Sequence, residues 1–572
     1  MPLHDTSTEA AFDVREIPFS RRGSWLDLSP VVALHTRTDT IHLVSHRNGF
    51  HGVLALRPER DGRPVETTWS ADPALLTWAR EDGRVEAAFA GPDAVRLRGS
   101  GLALRLGDAA AGLTPFTGTY LFTDPSDGAV VFTSYETGHR YRVTMLRGEH
   151  SVEGSEALGE ATRSILLGTD GGDWEAEVRE ATSQQTVPAE AATFEEVVAD
   201  SAEDFASYLD DLAPWRDERT PAAALAAYVL WSATVAPSGL LGRESVLMSK
   251  HWMDKLWSWD HCFNAMALAP GRPDTALDQF LAPFDHQDDR GALPDSVTHT
   301  EVLYNYVKPP IHGWALNRLR ATSARALDTD ELERIHDGLV LWSRFWIDSR
   351  RRPGHDLPYY QHGNDSGWDN STTFDLDRVI ESPDLAAFLA VQLEVLADLA
   401  DELGHPSAGW RKVGDELVRT LVDQLWTGTE FVAVGALSGR RSTGTSLLNL
   451  LPLVLGDRLP SDIRTTMADR LGDHLTDYGP ATEPVSSPHY QDDGYWRGPI
   501  WAPSTALIED GLRRSGFAAV ADVVSERFRA LCEKSGFAEN FDARTGAGLR
   551  DRAYTWTAAV YLLFAADHVR RS

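Results

Sequence analysis

Hydrophobic positions follow two different periods along this chain, and the change comes near residue 190. Before it, short β-branched, aromatic or alternating runs recur at spacings near ten residues. They are Val31–Arg37, Ile41–Ser45, Val53–Leu56, Val65–Trp69, Val85–Phe89, Val95–Arg98, Leu102–Leu106, Thr119–Thr123, Val130–Tyr135, Tyr141–Leu146 and Ser164–Leu167. Alternation sends successive side chains to opposite faces, so each run reads as a strand. Turn-forming clusters separate them, among them HRNG at 46–49, EDGR at 81–84 and SDG at 126–128. With no helical periodicity in between, residues 1–190 are expected to form an antiparallel β-sandwich.

Residues 191–217 read as a linker helix, with Thr193–Leu212 acidic and amphipathic. From 218 to 572 the chain is a run of helices. In the clearest, Ser382–Leu403, Ser382 is placed to cap the first turn and Pro383 suits the first helical position. Leu385, Leu389, Leu396, Leu399 and Leu403 make one apolar stripe, and Gly404 stops the helix. Similar patterns cover 221–234, 260–269, 273–287, 311–324, 328–350, 408–426, 446–455, 461–476, 501–514, 517–534 and 554–569. About twelve helices taken as six hairpins in a ring predict an (α/α)6 toroid with a funnel at one end. The expected fold class is therefore multidomain β plus α, with no internal sequence repeat.

A length of 572 residues suits two large domains, and 42% hydrophobic with 24% charged residues is a globular composition. No apolar run is long enough to span a bilayer, so no membrane partner is expected. The N-terminus carries early acids and no apolar core of a secretory signal, and only Cys262 and Cys532 are present. Reduced thiols and a cytoplasmic location follow as expectations. A formal charge of −31 argues against nucleic-acid partners, which are held by neutralising phosphates. Oligomeric state stays open.

The 18 Trp matter through their placement. Polar and aromatic residues mix in the connections between helices: 249–264, LPDSV at 293–297, VKPPIHGWAL at 307–316, YQHGNDSGWDNS at 360–371, 481–501 and 539–556. Surface loops rarely need so many Trp, and core segments rarely tolerate so many carboxylates. A funnel lined by both satisfies each fact, and it suits a sugar, whose rings stack on Trp while its hydroxyls pair with polar groups. Trp342, Trp346 and Trp410 fall inside helical patterns and read as core.

The motifs WSWDHCFNAMAL, GNDSGWDNS, YWRGPIW and ENFDARTGAGLRD together resemble glycoside hydrolase family 63 and its bacterial relatives, the mannosylglycerate and glucosylglycerate hydrolases. The resemblance covers about residues 245–570, and YWRGPIW is shared with related toroid enzymes such as family 37 trehalases. It implies an inverting hydrolase in which Asp369 is the general acid and Glu539 the general base. Trp368 and Gly367 supply a close-packed setting that suits a raised acid pKa. The same motifs imply sugar contacts from Trp257, Trp259, Asp260, Trp496 and Arg497, though Asp260 also reads as a helix N-cap. Lys308, His312 and Trp314 read as pocket residues, Asn364, Asp365, Trp368 and Asn370 flank the acid, and Gln491, Tyr490 and Tyr554 are further candidates.

No metal-ligand spacing, nucleophile elbow or phosphate-cradling glycine loop occurs, and the Asp-rich QDDRGALPD at 287–295 reads as a polar turn. No cofactor is expected. The function implied is an exo-acting α-glycosidase, α-glucosidase-like, on a short oligosaccharide or small glycoside. A hydrolase or phosphorylase for trehalose, mannosylglycerate or a rhamnoside, and a non-catalytic carbohydrate-binding protein, are the alternatives.

Overall fold

The structure, a computed structural model, describes residues 10–109, 120–157, 161–181 and 192–571. Contacts group the chain into two compact units. One draws on the chain up to Pro214 together with Ala227–Lys255 and Thr298–Thr300; the other holds Trp215–Ala226, Leu256–Val297 and Glu301 onward.

The first unit holds two antiparallel sheets. One runs, in spatial order, Leu26–Ala33, Thr36–Ser45, His51–Arg60, Ala103–Asp108, Ser164–Leu167 and His150–Glu153, with Arg63–Pro64 beside His51–Arg60. The other runs Tyr120–Thr123, Val130–Thr133, Arg140–Arg147, Trp174–Ala181, Ala94–Ser100, Gly83–Phe89, Leu76–Arg80 and Thr68–Ala71. Alternate residues of both, such as Leu28, Leu43 and Leu106 from one and Trp78, Leu97 and Val178 from the other, bury into one hydrophobic cluster. The expected strand Val31–Arg37 instead contains a hairpin turn. Ala33 pairs with Thr36, and His35 turns the chain with φ 54°. Val65–Trp69 becomes a strand only from Thr68, and residue 119 lies outside the described residues. Trp174–Ala181, WEAEVREA, has a helix-forming composition, yet it is strand because it pairs on both sides, with Arg140–Arg147 and Ala94–Ser100.

The helices are α1 Phe194–Leu212, α2 Ala223–Ala233, α3 Asp260–Leu268, α4 Pro273–Leu281, α5 His312–Thr322 and α6 Thr329–Arg344. They continue as α7 Pro383–Leu403, α8 Ala408–Leu425, α9 Ser461–His474, α10 Ala502–Arg514, α11 Ala518–Ser535 and α12 Thr555–Arg571. In place of an α-helix at 446–455, Leu447–Arg458 forms 3₁₀ turns carrying Pro452 and a kink at Gly456 (φ 57°, ψ −129°). The helix expected over 273–287 stops at Leu281, where Pro283 removes a backbone donor, and one 3₁₀ turn follows. Ser382 occupies the N-cap of α7, but its hydroxyl bonds Asp384 rather than a backbone N–H. Gly404 closes that helix in the left-handed region at φ 77°.

Within the second unit, α3 packs on α5, α5 on α7, α7 on the 3₁₀ segment and that segment on α10; α10 packs on α12, and α12 returns to α3. A second tier packs against this circuit: α4 on α3, α6 and α8 on α7, α9 on the 3₁₀ segment, and α11 on α10 and α12. A helix enclosed by both tiers must be apolar nearly all round, and α7 is: residues 383–393 are all buried, and the first exposed position is Glu394. Among the described residues no helix is long and apolar enough to cross a membrane. Cys262 and Cys532 are free and buried.

Candidate active site

Every functional side chain singled out above belongs to the second unit, in connections leading into or out of the inner helices. The first is the segment entering α3. Leu256–Trp257 pairs with Ser296–Val297, which fixes the backbone just ahead of Asp260. Trp259, not Asp260, is the N-cap; Asp260 is the first helical residue. It is 4% exposed and its Oδ2 has no hydrogen-bond partner. Burial pushes its carboxyl up to about 8, against the pull of the Lys308 ammonium; Asp295 and Asp369 add to the rise. Trp257 stays partly exposed, whereas Trp259 is enclosed.

Lys308 is the cation of the site. Its buried Nζ lies 3.0 Å from Asp295 Oδ1 and donates to the Asn364 carbonyl at 2.8 Å. Three nearby carboxylates, Asp295, Asp369 and Asp260, raise its pKa against burial. It therefore stays charged and ties the segment before α5 to the loop carrying Asp369.

That loop, GNDSGWDNS, is a single helical turn, Gly363–Ser366, followed by Gly367 at φ 73°. The turn closes so tightly that a Cβ on Gly363 would sit 2.2 Å from the Asp369 carbonyl oxygen, and one on Gly367 would meet the Trp259 ring at 2.5 Å. Only glycine fits either place. Asp365 braces the turn from inside: its Oδ2 accepts from Arg350 at 2.8 Å and the Gln361 N–H at 2.8 Å, and its Oδ1 accepts from the Val307 N–H at 3.2 Å. The Asp369 carboxyl is pushed up chiefly by burial, opposed by Lys308 and His362.

Asn370 joins this loop to the YWRGPIW loop. Its Nδ2 donates to the Gly494 carbonyl at 3.0 Å, its Oδ1 accepts the Trp496 N–H at 3.0 Å, and its carbonyl accepts from Arg497 Nε at 2.7 Å. The rest of the Arg497 guanidinium grips Asp375. Arg497 is thus a brace between loops. Gln491 is exposed, and its backbone closes the same turn by accepting from Gly494 and donating to Arg497. Behind the loops the indoles form a continuous belt. Trp368 lies 4.6 Å from Trp496, Trp496 stacks on Trp501 at 4.0 Å, Trp501 meets Trp556 edge-on at 5.6 Å, and Trp556 meets Trp259 at 5.8 Å.

Glu539 leads into the two-residue strand Asn540–Phe541, which pairs with Gly548–Leu549 and bridges to Ile500. It is 1% exposed, and burial pushes the group up to about 8 against the weaker pull of a backbone hydrogen bond from Asp551. Asp551 and Asp369 reinforce the rise, and Arg550 opposes it.

Two residues of the site carried no weight in the sequence reading. The Tyr495 phenol is pushed well up by burial and then by Glu539, Asp369 and Asp260, so all three carboxylates lie near it. The Arg550 guanidinium lies 4.9 Å over the Tyr495 ring. Both hold positive φ, 63° and 60°, which turns side chains inward from loops whose composition gives no hint of it. Tyr554 joins them, its phenol raised by burial and next by Glu539.

Two candidates lie elsewhere. His312 is fully buried, with Nε2 3.0 Å from the Ser258 carbonyl and its ring against Phe284 at 5.2 Å. Burial holds its pKa down to about 4, so it is a neutral core histidine. The Trp314 indole donates to Asp510 Oδ2 at 2.7 Å and lines a different cavity with Met266, Arg318 and Phe564. Among the residues expected in the core, Trp342 and Trp346 are buried and Trp410 is half-exposed. In QDDRGALPD, Asp288 Oδ1 accepts the N–H groups of Arg290 and Ala292, a self-capped turn, while Asp295 serves Lys308.

Clustered buried carboxyls walled by aromatics, on loops over inner helices, suit acid–base cleavage of a sugar linkage, and the protein is a glycoside hydrolase. The chain belongs to the mannosylglycerate hydrolase MGH1-like glycoside hydrolase family, whose model matches residues 253–557. It is 25% identical over 400 residues to the mannosylglycerate hydrolase of Rubrobacter radiotolerans, covering 54% of this chain and 89% of that one. It is 23% identical over 445 residues to the glucosylglycerate hydrolase of Mycolicibacterium hassiacum, covering 60% and 97%. Its fold is similar to that of the GH63 mannosylglycerate hydrolase from Thermus thermophilus solved with Tris and D-glycerate. There the TM-score is 0.52 at 21% identity, over 59% of this chain and 98% of that chain.

Proposed function

We propose that this glycoside hydrolase is an inverting, exo-acting α-glycosidase that releases one terminal sugar from a small glycoside, with Asp369 as general acid and Glu539 as general base. The observation that carries this reading is the gathering of Asp369, Glu539 and Asp260 near Tyr495 inside one aromatic wall. Inversion needs one carboxyl that protonates the leaving oxygen and a second that activates water on the opposite face. Asp369, raised by burial, suits the acid. Glu539 is taken as the base from its place in the ENFDARTGAGLRD motif; its carboxyl, raised to about 8 by burial against the pull of Arg550, ionises for that role toward alkaline pH.

Asp260 then holds sugar hydroxyls through its unpartnered oxygen, and Trp257, Trp259 and Trp368 face the ring. The circuit of inner helices with its outer tier supports reading the helical unit as an (α/α)6 toroid, and the common core of the two sheets supports a β-sandwich. The names of the relatives make glucosylglycerate and mannosylglycerate the first substrates to try, beside simple α-glucosides. The test is proton NMR of the reaction from its first minutes. The released sugar is expected first as the β-anomer, from the glucosyl compounds fastest, with no need for phosphate. Retention of configuration, or strict dependence on phosphate, overturns the proposal.

A further inference from the structure

Outside the active site, three metal-ligating side chains that are far apart in sequence meet at the C-terminal end of α7. Glu333 and His336 stand one turn apart on α6, and His405 follows Gly404, the left-handed residue that ends α7. One ligand atom from each lies within 4.8 Å of the others. His405 Nε2 is 2.8 Å from Glu333 Oε2, and the two imidazoles face each other with centroids 4.7 Å apart.

The backbone under each ligand is held. A capping box between Asp328 and Glu331 fixes the start of α6, and the His405 N–H donates to the Ala400 carbonyl at 2.7 Å. Neighbouring charges are already engaged: Arg334 on Asp285, and Arg320 on both oxygens of Glu402. Asp337 Oδ1 lies 3.3 Å from His336 Nδ1. A carboxylate behind a histidine in this way fixes the tautomer and leaves Nε2 free to ligate.

We infer that Glu333, His336 and His405 form a binding site for a zinc-class divalent ion. Two imidazoles and one carboxylate are the donors that such ions take in tetrahedral geometry, with a fourth position left to solvent. Zinc bonds of about 2.0–2.2 Å set tetrahedral donors about 3.3 Å apart, so a bound ion would draw these atoms together from their present spread within 4.8 Å. Calcium and magnesium, which prefer all-oxygen shells, are excluded by the same donor set. The site joins the middle of α6 to the end of α7, so its ion acts as a staple between these helices rather than as a participant in glycoside cleavage.

The test uses the full chain, free of affinity tag and stripped with chelator, titrated calorimetrically with zinc chloride near pH 7.5. One equivalent of zinc is expected to bind and to raise the melting temperature, while magnesium and calcium chloride at the same concentration do neither. His336→Ala and His405→Ala should each weaken zinc binding by at least tenfold, and Asp337→Asn by about tenfold through loss of the orienting carboxylate. If His336→Ala, which is largely buried, does not fold, the half-exposed His405→Gln carries the same expectation. Absence of zinc binding to the wild type, or affinity unchanged in His405→Gln, overturns the inference, the latter because the ion then sits elsewhere.

Discussion

A carboxyl group shut away from water prefers its neutral form, and three such groups meet here. Burial raises both Asp369 and Glu539, and a negative Asp369 adds to the rise of Glu539 after burial and Asp551. The proposed mechanism needs Glu539 ionised and Asp369 protonated, so it predicts that kcat/KM follows a bell against pH. Asp369→Asn and Glu539→Gln should each cost on the order of 10²–10⁴-fold. On a glycosyl fluoride, which leaves without a proton, the Asp369→Asn deficit should shrink and the Glu539→Gln deficit should not.

The same burial has a cost in stability whose sign can be fixed. Glu539 titrates near 4.5 when unperturbed and at about 8 in the fold, so its neutral form is the one the fold favours. The stability this gives is complete below about 4.5 and is lost as pH rises through 8. Glu539→Gln removes the penalty. Its melting temperature should exceed that of the wild type by a few degrees at pH 9, and the gap should close by pH 5; thermal melts across that range decide it. Glu539 and Asp369 stood out in the sequence because they sit in contiguous motifs. Tyr495 and Arg550 lie in YWRGPIW and ENFDARTGAGLRD as well, but a motif does not say which of its side chains lie near the carboxyls, and HGWAL does not say which side of its helix faces the site.

At the scale of elements, the GNDSGWDNS and YWRGPIW loops have little regular structure and depend on a few side chains that tie them together. Asn370 is the main tie: both ends of its amide hold backbone of the YWRGPIW loop. Asn370→Ala leaves a carbonyl and an N–H without partners, a loss of about 1–3 kcal/mol if they stay buried. The larger effect should be on rate, since displacing an acid by about 1 Å costs on the order of 10²-fold. Asn370→Asp, which still accepts the Trp496 N–H, should fall between wild type and Asn370→Ala in kcat/KM. Equal activity in all three would remove Asn370 from this role. Apart from 446–455, which forms 3₁₀ turns, and 273–287, which stops at Leu281, helices were legible in the sequence to within a few residues, because an enclosed helix repeats its apolar pattern over several turns. Strands were less so. Leu76–Arg80, His150–Glu153 and Trp174–Ala181 exist because neighbours pair with them, and local composition does not record that.

Across the whole molecule, the change of period near residue 190 marks where strands give way to helices, while contacts divide the chain along another line. Residues 227–255 group with the sheets through buried polar partners. Gly23 exchanges backbone bonds with Thr234 and Ala236, and the Trp25 indole donates to the Ala236 carbonyl at 3.0 Å. Lys250, 2% exposed, donates to the Ser24 carbonyl at 2.7 Å and to Ser20 Oγ at 2.9 Å. His46 lies between Asp27 at 2.7 Å and Asp254 at 3.2 Å. Removing everything before residue 215 strips Lys250 and Asp254 of these partners and exposes the apolar surface of the segment. Apolar surface newly exposed to water and hydrogen bonds lost in this way take a large share of a domain's net stability. A fragment of residues 215–572 should therefore aggregate or melt far below the full chain. A soluble 215–572 fragment with the full chain's kcat/KM would show that the helical unit needs none of these partners to hold its catalytic loops.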